Sequence, residues 1–469
     1  MPTTAASDRA GTPIVAASRR IALSNRSQRR KLRSVPEIVA SLRTIRLGMG
    51  KVVKLDTVAA DRSAGGPRNR RRPRRSKSAL VLGGGGFTGG VYEIGALRAL
   101  DLLSVNRTVN EFDVYVGTSA GSFVAAAVSN GVTPEEMMRV IVQQVPTPFP
   151  DASVSSLLRP NYGEFLTKGL LVPFRVVQLL RTLVRDFGQM SAVDVAIGLA
   201  EALPSGIYSG QGIERYVRTI LSDPDRSDDF RLLKNELYLA ATDLDTCERI
   251  VFGAEDWDDV PISTAVRASS ALPMVYKPVK VKDRELIDGG ILSTTNLDIA
   301  VEAGAKFIVV VNPLVPYVND FEKRIPTITG SRSRRVSDMG FPQIGYQAFK
   351  LLAYQRLHEV ARRWEERYPG VDIILIEPEP NDELMFQTSM MNYTSRVDIA
   401  RHGFQSVTLK LAHDYPRFKR ICARHGIDIS ATRVRKVVKH FEAEREKTRA
   451  WRKILEQTTS TLLRQSAQE

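Results

Sequence analysis

An α/β fold, with a mainly parallel sheet flanked by helices on both faces, follows from three features of this 469-residue chain. Short runs of consecutive apolar residues, not alternating ones, recur between segments of helical spacing, as expected of strands buried on both faces. Two such runs lead directly into glycine-containing turns that open a helix, the strand–loop–helix order of a crossover-connected sheet. Residues before Ser78 share none of this texture, being polar and basic, so the α/β body starts there.

Taken in order, residues 1–33 are Ser-rich and basic and read as disordered. Ser34-Val35-Pro36-Glu37 fits a capping box with proline just inside a helix start, and Ile38, Leu42, Ile45 and Met49 recur at steps of three and four. Residues 34–53 are therefore a short basic amphipathic helix, suited either to packing on the body or to lying in a membrane interface. Gly65-Gly66-Pro67 and the run from Arg68 to Arg75 make a flexible linker. Ala79 to Leu82 is the first strand, Tyr92 to Leu103 a helix, Phe112 to Val116 a second strand and Ser122 to Val128 a second helix. Leu237 to Ala241 and Phe307 to Val311 are further buried strands.

Residues 164–187 are unusually apolar, but Lys168, Arg175, Arg181 and Arg185 make them too charged to span a bilayer, and Pro173 kinks or restarts the helix. A buried insertion helix and a lid or lipid-docking surface both fit. Towards the end come a loop at Gly330–Arg335, a helix near 343–367, a strand at Val371–Ile376, more helix, and a highly charged helix at 433–463. The chain thus divides into a basic arm (1–77), an α/β domain (78–315) and a mostly helical extension (316–469).

Hydrophobic residues make up 43% of the chain, enough for a sizeable core. The net charge of +15 is concentrated in residues 1–77, which hold 20 Lys and Arg against four acids, leaving a nearly neutral body. Such an arm points to an anionic membrane surface; it lacks the interleaved aromatics that stack on bases, so no nucleic acid is expected. Cys247 and Cys422 are the only cysteines, which excludes a disulfide scaffold and a Cys-rich zinc site. Arginines interrupt every N-terminal apolar stretch, so no signal peptide is expected, and no transmembrane run is present. These features suggest a cytoplasmic protein able to sit peripherally on a membrane.

Three motifs carry chemistry. Gly117-Thr118-Ser119-Ala120-Gly121 lies between a strand and a helix. A sharp turn there holds the serine in a strained conformation with its hydroxyl exposed, and the helix N-terminus favours negative charge beside it. Gly83-Gly84-Gly85-Gly86-Phe87-Thr88-Gly89-Gly90 also follows a strand and precedes a helix. A loop of this kind can present several amides to one anion, either a phosphate or the oxyanion of a tetrahedral intermediate. Gly84 to Gly89 matches the dinucleotide fingerprint G-x-G-x-x-G, so this motif alone does not separate a nucleotide enzyme from a hydrolase. The third motif is Ile287-Asp288-Gly289-Gly290, after a short apolar run.

Together, and in this order, the motifs resemble those of the patatin-like phospholipase family. Ala241 to Thr246, Arg267-Ala268-Ser269-Ser270-Ala271-Leu272-Pro273 and Asn296 to Pro313 are similar to the segments between and after them, so the likeness covers about residues 78–315. Thr88 departs from the family's usual Lys or Arg, and one extra glycine precedes Gly95. The resemblance implies a Ser–Asp dyad: Ser119 as nucleophile, Asp288 as proton acceptor, Gly84, Gly85, Gly86 and Phe87 around the oxyanion, and Gly89, Gly117, Gly121, Gly289 and Gly290 as motif glycines. It implies a lipid substrate and neither metal nor organic cofactor. All five histidines, His358, His402, His413, His425 and His440, lie beyond this region. The alternatives are a catalytically weak lipid-binding adaptor of the same fold, a histidine-using α/β-hydrolase, and a dinucleotide-binding oxidoreductase that leaves Ser119 and Asp288 without a role.

Overall fold

The parallel strands of the sheet are short and predominantly apolar, and the reason is visible in their surroundings. The computed structural model describes residues 75–142, 158–185, 203–319, 325–326, 332–333, 335–387 and 393–443. The chain divides into Met1–Arg70 and Arg71–Glu469, and all described residues belong to the second unit. The basic helix expected at 34–53, the linker up to residue 74 and the last part of the helix expected at 433–463 lie outside the described residues.

In chain order the elements that position the site are β1 (Ser78–Leu82), α1 (Gly86–Leu103), β2 (Val114–Thr118), α2 (Ala120–Ser129), α3 (Pro134–Val142) and α4 (Tyr162–Arg185). Then come β3 (Gly206–Tyr208), α5 (Gln211–Leu221), β4 (Glu236–Asp243), β5 (Arg249–Phe252), α6 (Ile262–Ser269), β6 (Met274–Tyr276), β7 (Val279–Val281) and β8 (Arg284–Asp288). The series closes with α7 (Leu297–Glu302), β9 (Phe307–Val311), α8 (Phe341–Ala361), β10 (Asp372–Ile376), α9 (Arg396–His413) and α10 (Tyr415–Arg424).

Strands β10, β9, β1, β2 and β4 are parallel neighbours in that order. Side chains alternate between two buried layers. Leu80, Leu82, Tyr115 and Val309 meet α1, α2, α6 and α9 on one face. Ala79, Val81, Val116 and Ile308 meet α7 and Leu357 of α8 on the other. Burial on both faces is why these strands read as continuous apolar runs.

The register at β4 brings two motifs together. β5 pairs antiparallel with Leu239–Thr242, and β2 pairs with Glu236–Ala240, so their pairings overlap and they occupy opposite edges of β4. β8 pairs antiparallel with Ala241–Asp243, and because β5 already holds Ala241 on its edge, β8 lies on the edge that β2 uses. β2 and β8 therefore run towards each other, ending at Thr118 opposite Ala240 and at Asp288 opposite Ala241. Successive residues of β4 thus juxtapose the ends of two strands that are 170 positions apart in sequence, and Ser119 follows at once.

Helix α1 starts at Gly86, inside the glycine run and earlier than the Tyr92 start expected from periodicity. Poor helix propensity of glycine hides such a start from a pattern reading. Helix α9 crosses α1 closely: a Cβ on Gly95 would stand 2.3 Å from the Ala400 carbonyl oxygen and 2.7 Å from the Phe404 nitrogen. Both are backbone atoms, so neither can turn aside. Gly95→Val is expected to lower unfolding free energy by about 3 kcal/mol, the overpacking cost outweighing any propensity gain. Urea unfolding of the two proteins measures it; equal midpoints would mean that the helices separate freely.

Candidate active site

Ser119 stands at the turn between β2 and α2 with φ 56° and ψ −126°, a strained conformation for a side-chain-bearing residue. The turn is tight enough to exclude side chains nearby. A Cβ on Gly121 would lie 2.4 Å from the Leu82 carbonyl oxygen, and one on Gly117 would lie 2.6 Å from Ser122 Cα. Ser269 Oγ accepts the Ser119 N–H at 2.9 Å and donates to the Ala240 carbonyl at 2.6 Å, tying the turn to β4. Ser270 Oγ donates to the Ser119 carbonyl at 3.0 Å. Ser269 and Ser270 stand in the sequence only as part of a motif block, since no spacing announces a support of this kind.

The Ser119 hydroxyl donates to Asp288 Oδ2 at 2.5 Å. Asp288 is 3% exposed, and its other oxygen, Oδ1, accepts the Gly290 N–H at 2.7 Å. Burial pushes the carboxyl up to about 6, against the pull of the hydrogen bonds from Ser119 and Gly290. Gly289 is fixed by crowding, since its Cβ would stand 2.3 Å from the Ala240 carbonyl oxygen. Asn296, at φ 49°, donates to Thr118 Oγ1 at 3.0 Å and so links the segment after Asp288 to the end of β2. This residue too carried no sequence signal beyond its place in the motif region.

The glycine loop lies opposite. Gly84 packs on Ser119, its Cβ position being 3.2 Å from Ser119 Cβ, and its N–H donates to the Thr294 carbonyl at 2.9 Å. Of the expected oxyanion donors, Gly84 is thus engaged by its own protein. The amides of Gly86 and Phe87 belong to the first turn of α1, which has no intrahelical acceptors for them. Gly85 and Gly89 abut Pro313, with Cβ positions 2.8 and 3.0 Å from its Cγ.

Ser119, Asp288, Gly84, Gly85, Gly86 and Phe87 all line one cleft of about 220 Å³. The rest of its wall is largely apolar, including Val91, Ile94, Phe123, Met137, Ile213 and Leu272. Phe349, Tyr393 and Arg396 also reach it from the C-terminal third, for which sequence reading named no site residue. No described histidine lines the cleft. His358 pairs with Glu377, His402 with Asp382 and His425 with Asp372, away from Ser119. Among the described residues no cluster of His, Cys, Asp and Glu could hold a metal ion.

A mixed, mostly parallel sheet between helix layers, with a serine turn and an aspartate meeting at the end of β4, is the patatin-like fold. A patatin-like phospholipase domain covers residues 80–301, where that family's model matches. A probable lipid hydrolase, 463L, of Invertebrate iridescent virus 6 is 25% identical over 229 residues, 48% of this chain and 63% of that protein. The uncharacterised protein YqhO of Bacillus subtilis is 24% identical over 221 residues, 44% of this chain and 64% of that one. The chain thus spans less than two thirds of the curated relatives it matches. The crystal structure of VipD from Legionella pneumophila is similar over 73% of this chain and 67% of its own, at 14% identity and a TM-score of 0.32. Among the described residues no helix is long and apolar enough to cross a membrane.

Proposed function

We propose that this protein is a serine acyl hydrolase that cleaves ester bonds of phospholipids or related acyl lipids through Ser119 and Asp288. The observation that carries the reading is the 2.5 Å hydrogen bond from Ser119 to a buried aspartate at the wall of an apolar cleft. Asp288 Oδ2 accepts the hydroxyl proton as Ser119 Oγ attacks the ester carbonyl. The negative oxygen that forms is met by amides at Gly85, Gly86 and Phe87, with the N-terminal ends of α1 and α2 adding favourable dipole. Collapse breaks the ester C–O bond, and Asp288 returns its proton to the leaving alcohol. Water then gives a proton to Asp288 and attacks the acyl-serine, releasing the fatty acid and restoring Ser119. The basic arm, residues 1–77, would hold the enzyme near anionic lipid.

An apolar cleft should reward a longer acyl chain, because each buried methylene contributes about 0.8 kcal/mol. Against a graded series of p-nitrophenyl esters, kcat/KM for octanoate is expected to exceed that for acetate by at least about tenfold. A flat or inverted series would remove the cleft from acyl binding. Vesicle binding with no ester turnover at all would favour the adaptor reading.

A further inference from the structure

Sequence alone leaves residues 164–187 open between a buried helix and a lipid-facing one, and the structure shows how the described side chains among them are exposed. Helix α4 runs for 24 residues, including Pro173, a length of about 36 Å at the usual rise. Tyr162, Leu166, Leu170, Phe174 and Val177, spaced by three and four, are 74%, 68%, 68%, 74% and 48% exposed. No other described element packs extensively along the helix. Monomeric proteins rarely leave a continuous apolar surface of this size open to water without a use for it.

The base of α4 is fastened, and its one acid is used in doing so. Glu164 accepts the Ser205 N–H at 2.9 Å and the Ser205 hydroxyl at 2.8 Å. Asn161 Nδ2 and Lys168 Nζ also reach the carboxylate, at 2.6 and 3.3 Å. Burial alone would raise this carboxyl, but these hydrogen bonds outweigh it and hold it down to about 2. The sequence of α4 has four basic residues against this single acid, and the acid is turned inward. What α4 offers outward is therefore apolar, with Arg181 exposed as well and a net positive charge in its sequence.

The apolar surface continues to the mouth of the cleft. Lys168 Nζ donates to the Leu203 carbonyl at 2.7 Å, and the Asn161 N–H to the Ile207 carbonyl at 2.9 Å. Leu203 and Ile207 are 63% and 51% exposed. β3 pairs with β6, setting Gly206 beside Met274, which is 81% exposed at φ 69°. Leu272 and Tyr276, two residues to either side of Met274, line the cleft that holds Ser119. One platform thus runs from α4 across Met274 to the opening of the candidate active site.

We propose that α4, with Leu203, Ile207 and Met274 at its base, docks on the surface of an anionic lipid bilayer and delivers acyl chains from it into the cleft. This rests on the acyl-hydrolase reading for the delivery, not for the docking. A second copy of the chain is a poor occupant, since it would bring one cationic helix against another. A bilayer accepts aromatic and aliphatic side chains below its headgroups and basic ones among them.

The test uses the full chain and vesicles of phosphatidylcholine with phosphatidylglycerol. The arm is expected to bind such vesicles as well; its electrostatic attraction is suppressed at about 1 M salt, where the Debye length is about 3 Å, and any apolar hold by residues 34–53 is common to wild type and variants. Under that condition wild type is expected to keep sedimenting with vesicles. Leu170→Gln/Phe174→Gln, which retains helix propensity, should bind at least about tenfold more weakly, and Met274→Gln should weaken binding too. All variants should hydrolyse a short soluble ester at the wild-type rate while losing rate on vesicle lipid. Wild-type binding by the double variant would overturn the proposal. So would a wild-type dimer that the double variant abolishes with vesicle binding intact, since the surface would then be a self-interface. A wild type that binds vesicles through α4 but hydrolyses no ester would sink the acyl-hydrolase reading and leave the docking standing.

Discussion

Ser119→Ala is expected to abolish ester hydrolysis, with kcat falling by at least about 10³-fold, and to remove covalent labelling by a fluorophosphonate probe. The argument starts from backbone. Ser119 keeps φ 56° only because Gly117 and Gly121 admit the turn and Ser269 holds its N–H. That turn aims Oγ at Asp288 across 2.5 Å. Alanine keeps the turn's backbone demands unchanged and removes the hydroxyl alone, so folding should survive. Water is a poor substitute, because the cleft walls are largely apolar and the hydrogen bond that aims the nucleophile at Asp288 Oδ2 comes from the Ser119 hydroxyl. Intact-mass spectrometry after probe treatment gives one adduct on wild type and none on the variant. An adduct on the variant, at another serine, would refute Ser119 as the nucleophile.

Legibility in the sequence tracked how local each determinant is. β9 runs from Phe307 to Val311, the very bounds that its apolar run indicates, because one aromatic and four β-branched residues in succession suit a short strand buried on both faces. The strand expected at Val371–Ile376 was also visible, as β10. The start of α1 was not, since glycines at its first turn serve the loop and oppose helix propensity. Ser119 and Asp288 were visible as motifs, but their approach depends on β2 and β8 sharing one edge of β4, a non-local fact of register. Ser269, Asn296, Tyr393 and Arg396 were silent because support and lining need only proximity, which leaves no spacing behind. Exposure of α4 was undecidable for a related reason: an apolar run states what could be buried, not whether anything covers it.

Asp288→Asn should be nearly as damaging to turnover as Ser119→Ala, while any single histidine replacement costs little. The amide is the size of the carboxylate and can still accept the Gly290 N–H, but it cannot take the Ser119 proton. The pH dependence follows from burial. Asp288 works as a base only when ionised, and its carboxyl is pushed up to about 6. Activity on a soluble ester should therefore rise with pH through a single ionisation near 6, not near the usual aspartate value of about 3.9. Stability should move the opposite way. A carboxyl raised on folding contributes stability that is fully present below its unfolded pKa of about 3.9 and is lost as pH climbs through about 6. At about pH 8 the wild type thus carries an ionised buried carboxylate at a cost of about 3 kcal/mol. Asn at this position has no charge to desolvate, so Asp288→Asn is expected to melt no lower than wild type at that pH while its turnover is gone. Calorimetry and initial rates on the same preparations measure both. A variant that is inactive and also markedly less stable would recast Asp288 as a structural residue, and a histidine variant as inactive as Asp288→Asn would replace the dyad with a triad.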